Sequence, residues 1–204
     1  MEEREQDKLL GIKTVGTREW PDNKKIHYYR YEATPYKALH ALSENYKFKD
    51  ADTIVDFGCG RGRVAFYLHN RFHLPVVGVE ADFRTYREAI ENKIMYRLKT
   101  RNIAAPVKFK YGLAQHYKID KKDNCFYFFN PFSIPIFRKV IYNILRSVEK
   151  DRRNEDLILY YPMQEYEIFL EIGTPFEIID KIRVPGENDE REKFIIYQLR
   201  EQLY

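Results

Sequence analysis

Residues 53–68 read TIVDFGCGRGRVAFYL: a short apolar run ending in Asp56 and Phe57, three glycines on alternate positions, then a second apolar run with wider spacing. The chain has only 9 glycines in 204 residues, so placing Gly58, Gly60 and Gly62 together marks a local demand of the backbone. Glycine has no Cβ and reaches positive φ at no steric cost. A strand that turns at once into a helix, beside a ligand, needs both properties. Gly58 then makes the tight exit from the strand, Gly60 allows the ligand's closest approach, and Gly62 lets the helix from Arg63 start close to the sheet. Free N–H groups at that helix start face polar or anionic groups of a ligand. Asp56, at the carboxyl edge of the strand, falls in the crevice where open α/β sheets bind ligands.

The same alternation runs through the chain. TIVDF (53–57), PVVGVE (75–80), PVKFKYG (106–112), CFYFFN (125–130) and DLILYYP (156–162) are short, rich in β-branched or aromatic residues, and bounded by Gly, Pro, Asp or Asn, which reads as buried strands. GRVAFYLHNRF, ADFRTYREAIENKIMYRLKTRN and IPIFRKVIYNILRSVEK lie between them at helical spacing; in the last, Ile136, Phe137, Val140, Ile141, Ile144, Leu145 and Val148 make one stripe. Ahead of the first strand, TPYKALHALSENY reads as a helix with Thr34 as N-cap and Pro35 at its first position. After a helix near MQEYEIFLEIG, FEIIDKIRV and EKFIIYQLR form a hairpin whose polar tip runs from Pro185 to Glu192. The expected fold is α/β: a doubly wound, mostly parallel seven-stranded sheet with a C-terminal antiparallel hairpin. One domain spans 1–204, with an N-terminal extension over 1–30 and a core over 34–200; the first dozen residues are frayed or form a short docking helix.

Composition sets the outer bounds. A hydrophobic fraction of 44%, a charged fraction of 32%, 17 Tyr and 14 Phe describe a folded soluble protein. No stretch approaches the roughly 18 apolar residues of a membrane span. The opening MEEREQDKLL is charged where a signal peptide is apolar, so a cytoplasmic, membrane-free protein is expected. Cys59 and Cys125 have no metal-type spacing and suggest no disulfide framework. His27, His40, His69, His73 and His116 show no pair spacing either, so no metal is expected. Residues 84–122 carry 11 Lys or Arg against 3 Asp or Glu, an excess of +8, whereas 123–204 carry 11 against 15, or −4. The basic segment is either a solvated helix face or a surface that permits nucleic acid.

Eighteen residues after Gly62, the run VVGV ends in Glu80. An acid at the end of the second strand accepts hydrogen bonds from both hydroxyls of a ribose. A dinucleotide fingerprint spaces its glycines G-x-G-x-x-G, whereas this turn is G-x-G-x-G, which disfavours a nicotinamide dehydrogenase. VDFGCGRGR followed by GVE resembles motif I and the acidic motif of class I S-adenosylmethionine-dependent methyltransferases, which have a Rossmann-like fold, and the likeness extends over about residues 34–200. That resemblance implies S-adenosylmethionine as cofactor, with contacts at Asp56, Gly58, Cys59, Gly60, Gly62 and Glu80 and at the following Ala81. Tyr31, Thr34 and Pro35 resemble the segment that covers the cofactor's carboxylate end, with a plain helix cap as the other reading. Ala114 and Gln115 occupy the place of the adenine contact. Arg61 and Arg63 either meet a carboxylate or are solvated.

The fourth strand ends CFYFFNPFS. An Asn side-chain oxygen and a backbone carbonyl beside proline can accept two hydrogen bonds from an amino group, while an aromatic ring stacks on its plane. Asn130-Pro131-Phe132 resembles the (Asp/Asn)-Pro-Pro-aromatic motif of amino methyltransferases with one proline missing, which implies catalytic roles for these three and a cofactor contact at Asn130. The alternative is that Asn130 and Pro131 end the strand and Phe132 packs in the core. The expected function is methyl transfer from S-adenosylmethionine to a nitrogen of an unidentified acceptor, whether RNA, DNA, protein or small molecule. A non-catalytic S-adenosylmethionine-binding or regulatory module is the alternative, and the oligomeric state is not readable.

Overall fold

Every residue of strand β1 (Ile54–Phe57) is buried, and the side chains divide between two cores. Ile54 joins one hydrophobic cluster, while Val55 and Phe57 join another on the opposite face of the sheet. Successive strand residues point to opposite faces, so a strand covered on both sides reads as one continuous apolar run. The computed structural model describes residues 3–19, 27–49 and 52–199. The rest of the N-terminal extension, the final Arg200 of the last strand-like run and the four residues after it lie outside the described residues.

The element order is α1 (Glu3–Leu10), α2 (Tyr36–Asn45), β1, α3 (Arg63–Phe72), β2 (Val76–Glu80), α4 (Phe83–Lys99), β3 (Val107–Tyr111), β4 (Cys125–Phe128), α5 (Ile134–Lys150), β5 (Glu155–Tyr160), α6 (Gln164–Gly173), β6 (Glu177–Arg183) and β7 (Lys193–Leu199). They build one seven-stranded sheet in the order β3-β2-β1-β4-β5-β7-β6. The first five strands run parallel, and β7 is antiparallel to both β5 and β6. Residues of α2, α3 and α4 cover one face with Ile54, Val76 and Phe109, whereas α5 and α6 cover the other with Phe57, Phe128 and Leu159. Strand order therefore reverses between β1 and β4, and the carboxyl ends of β1, β2 and β4 bound a crevice there.

The expected architecture and hairpin are observed, and α5 extends two residues beyond each end of its apolar stripe. One local expectation is corrected. Thr34 does not cap α2: the cap position is Pro35, without a side-chain bond, and the Tyr36 N–H is satisfied by Glu3 Oε1 at 3.0 Å. The Thr34 hydroxyl instead bonds the buried Tyr127 hydroxyl at 2.8 Å. A partner far along the chain has replaced the local cap.

That partner sits on α1, a docked helix. Asp7, only 5% exposed, binds the Thr14 hydroxyl at 2.6 Å and receives the Tyr36 hydroxyl at 2.7 Å. Arg63, 4% exposed, donates to Thr14 Oγ1 at 2.7 Å and to the Thr34 carbonyl at 3.1 Å, pairs with Glu3, and lies 4.4 Å over the Tyr36 ring. A buried guanidinium is tolerated only when its donors are matched.

Gly62 opens α3 at φ 90°, and a Cβ there would lie 2.7 Å from the Phe109 ring and 2.8 Å from Phe66. Gly62→Ala should thus cost about 2–4 kcal/mol from strained φ plus overpacking. Urea unfolding would measure it, and a loss below the scatter of the method would contradict this account.

Candidate functional site

The crevice is walled by Asp56, Gly58 and Cys59 after β1, by Val79, Glu80 and Ala81 at β2, by Gly112 and Ala114 after β3, and by Tyr127, Phe129, Pro131 and Phe132 at β4. Residues 28–34 of the N-terminal segment also line it. Its enclosed space is about 70 Å³; the about 880 Å³ of empty space around its mouth includes open solvent. Of the residues singled out in the sequence, Tyr31, Thr34, Asp56, Gly58, Cys59, Arg63, Glu80, Ala81, Ala114, Pro131 and Phe132 line this space; Pro35, Gly60, Arg61, Gly62, Gln115 and Asn130 do not.

Two carboxylates dominate its chemistry. Glu80 is 7% exposed, with Oε2 accepting the Gly60 N–H at 2.9 Å and Oε1 accepting the Asp82 N–H at 2.7 Å. Burial outweighs these donors and pushes its carboxyl from 4.5 up to about 7. Asp56 is 3% exposed, and its Oδ2 has no hydrogen-bond partner. Burial, reinforced by the Glu80 charge, pushes it from 3.8 up to about 8. Tyr127 pairs with Asp56 in the strand register, and its hydroxyl, bonded to Thr34, is held far above its ordinary range by burial. The thiol of Cys59 is also buried and pushed well up, so it serves packing and not nucleophilic chemistry.

The glycine turn is shaped by the protein's own side chains. Gly58, Gly60 and Gly62 all adopt positive φ, as the turn requires. A Cβ on Gly60 would lie 2.1 Å from the Tyr31 ring, and one on Gly58 would lie 2.3 Å from Pro131. The close approach expected at Gly60 is therefore made by Tyr31 and not reserved for a ligand. Tyr31 is fixed by its hydroxyl, which donates to the Thr14 carbonyl at 2.6 Å, and by the Arg61 guanidinium 4.9 Å over its ring. Arg61 and Arg63 do meet carboxylates, but those of Glu88 and Glu3.

Asn130 departs most from expectation. It stands at φ 41°, its Nδ2 donates to the Tyr161 carbonyl at 2.6 Å, and its Oδ1 accepts the Met163 N–H at 3.1 Å. The Pro131 carbonyl accepts the Tyr29 N–H at 3.3 Å. Both acceptors expected to receive an amino group are thus engaged within the chain. Phe132 is 2% exposed and packs edge-on against Phe128 at 6.3 Å, so it serves the core as well as the crevice wall. Residues 27–29 run beside 131–133, with Ser133 N–H bonding the His27 carbonyl at 2.9 Å and Tyr28 bridging Phe132.

Sequence reasoning missed Tyr28, Tyr29 and Tyr127. Period-two alternation along CFYFFN places Tyr127 on one face with Cys125, a signal that was available. Tyr28 and Tyr29 had none, because pairing across about a hundred residues leaves no local pattern. Gln115 has a buried, unpartnered Oε1 while its carbonyl receives Asn143 Nδ2 at 2.8 Å. The histidines are dispersed: His69 is buried between the Tyr96 hydroxyl and the Ala105 carbonyl, and His27 bonds Ser133. Among the described residues no His, Cys, Asp and Glu side chains group to hold a metal, and no helix is long and apolar enough to cross a membrane.

No protein-family model and no curated protein matches the chain. Solved structures do. A putative RNA methyltransferase from Pyrococcus horikoshii superposes at TM-score 0.58 with 18% identity, over 99% of this chain and 100% of that one. An RNA methyltransferase from Salinibacter ruber, in complex with S-adenosyl-L-homocysteine, gives 0.56 with 13% identity, over 85% and 97%. A geranyl diphosphate C-methyltransferase from Streptomyces coelicolor, also with S-adenosyl-L-homocysteine, gives 0.54 with 11% identity, over 82% and 79%. The chain has the Rossmann-like fold that these methyltransferases share. The acceptors in their names, an RNA and geranyl diphosphate, have little in common, so the fold does not select an acceptor.

Two outcomes follow from the carboxylates and the Asn130 bonds. Folded Asp56 keeps its proton up to about 8 while the unfolded group releases it near 3.8, so stability present at acid pH is lost as pH rises through that window. Asp56→Asn should flatten this loss and raise the melting temperature at the alkaline end; an unchanged profile would remove Asp56 as its source. Asn130→Ala should cost about 1–3 kcal/mol, from two lost backbone bonds, and more than Asn130→Gly, which keeps the left-handed φ.

Proposed function

We propose that the chain is an S-adenosylmethionine-dependent methyltransferase. One observation carries the reading: the Asp56 carboxyl, with its Oδ2 unpartnered, lies buried beside Glu80, at the strand-order reversal where sheets of this kind hold nucleotides. Two acids in one dry crevice are costly when ionised unless a cation joins them. S-adenosylmethionine carries an ammonium and a sulfonium, and its adenosine brings ribose hydroxyls. The residues present fit that group. Asp56 would hold cationic charge, Glu80 keeps spare lone pairs for ribose hydroxyls, and Ala81 and Ala114 offer small surfaces to a flat ring. Thr34, Gly58 and Cys59 border the same space. When bound, the cofactor supplies an activated methyl group with a neutral thioether as leaving group.

This chain's residues contribute orientation and exclusion of water. Residues 28–34 shield the crevice, and Pro131 and Phe132 wall its far side. In-line positioning is the main requirement of methyl transfer to a neutral amine. A nitrogen acceptor oriented by Asn130 requires its amide to be released from Tyr161 and Met163. That engagement favours, as the second reading, a module that binds the cofactor without transferring its methyl group.

Calorimetric titration with S-adenosyl-L-homocysteine, whose ammonium still faces Asp56, tests the cofactor. Because Asp56 is held up to about 8, binding at pH 7 should expel about one proton, seen as enthalpies that differ between buffers, and affinity should rise from pH 6 to 8. Asp56→Asn should lose about tenfold or more in affinity, one charge-assisted contact. Absence of binding, with binding of a nicotinamide dinucleotide instead, would overturn the cofactor. Label transfer from methyl-labelled S-adenosylmethionine to an RNA, DNA, protein or metabolite fraction separates enzyme from module.

A further inference from the structure

We propose that the carboxyl-terminal tip of β3, with the first turn of α4 beside it, docks a single strand of nucleic acid. Phe83 and Tyr111 are 53% and 55% exposed although both are large aromatics, and their rings meet edge-on at 5.4 Å with Tyr86 behind at 5.7 Å. Exposed aromatic faces of this kind stack bases without regard to sequence. Lys108 and Lys110 project from the opposite side of the same edge strand, and Lys110 lies 4.8 Å over the Tyr117 ring. Bases can therefore lie along one flank of the strand and phosphates along the other.

The charge is available. Among the described residues, Arg84, Arg87, Lys108, Lys110 and Lys118 have no carboxylate partner within ion-pair distance, whereas two acids at the start of α4 are engaged, Glu88 by Arg18 at 2.6 Å and Arg61 at 2.7 Å, and the cap Asp82 by Arg18 at 3.8 Å. These are five of the eleven basic residues in 84–122. A second cavity lies at the strand tip, lined by Tyr111, Leu113, His116 and Lys118, and it shares Val79, Ala81 and Gly112 with the lining of the main crevice. A strand docked there lies next to the proposed cofactor site, across Val79, Ala81 and Gly112. Its role as methyl acceptor rests on the proposed function; the docking itself does not. An acidic peptide would match the lysines and leave the aromatic faces unused.

Fluorescence anisotropy with labelled oligouridylate, oligothymidylate and a duplex of matched length, about 12 nucleotides, tests the surface. The single strands should bind with affinity falling steeply in salt, and their ranking tells which sugar is preferred. Tyr111→Ala should weaken binding about tenfold, the loss of one stacked base. Lys110→Glu with Lys118→Glu should lower the salt slope by about 1.4, two phosphate contacts at 0.7 each. This charge reversal, on exposed side chains, decides the matter if Tyr111→Ala fails to fold. Binding should persist under saturating S-adenosyl-L-homocysteine. No binding up to about 100 μM at low salt, duplex bound as tightly as single strands, variants bound like the parent, or displacement by S-adenosyl-L-homocysteine would each overturn the proposal. Calorimetry with S-adenosyl-L-homocysteine alone reports on the cofactor reading independently.

Discussion

The turn between β1 and α3 is the constraint from which the site follows. It is squeezed on three sides, by Pro131 on Gly58, by the Tyr31 ring on Gly60, and by Phe109 and Phe66 on Gly62. Each of these positions also has positive φ, so Cβ atoms are excluded by both backbone and neighbours. With the turn fixed, its Gly60 N–H is directed at Glu80, and β1 delivers Asp56 into the same dry space. Interiors are packed to crystal-like density, so a turn locked by rings and a proline holds its geometry without a ligand.

The crevice is consequently loaded with unfavourable charge. Glu80 is compensated by two backbone donors, while Asp56 has an oxygen with none and resides beside Glu80's negative charge. Neutralisation by proton is the free protein's way out, which is why both carboxyls titrate near or above neutrality. Such displaced titration tends to gather where ligands bind. The segment 28–34 lines the same crevice and occupies the Pro131 carbonyl through the Tyr29 N–H. The same segment anchors to α1 through Thr34, Arg63 and Glu3, so the N-terminal extension is part of the site.

The architecture was legible because strands buried on both faces and one-sided helices leave different periods in a sequence, as in TIVDF and in the stripe of α5. The glycine turn and Glu80 were legible because positive φ and a strand-end acid are local demands. Less legible were the partners. CFYFFNPFS shows a strand that ends, and nothing in it tells that Asn130 turns toward Tyr161 and Met163. Thr34 next to Pro35 reads as a cap, yet Glu3 on a separate helix supplies that bond.

The sequence by itself determined the order of strands and helices, the place where the chain must bend without side chains, and the two acids at the strand ends. Those features depend on neighbours a few residues away. Only the tertiary structure decided that Tyr31 rests on Gly60, that Asp56 is left with a bare oxygen, and that the acceptors after β4 are taken. These depend on groups brought together across the sheet from distant parts of the chain, where burial and geometry select the partner and local pattern carries no trace of it.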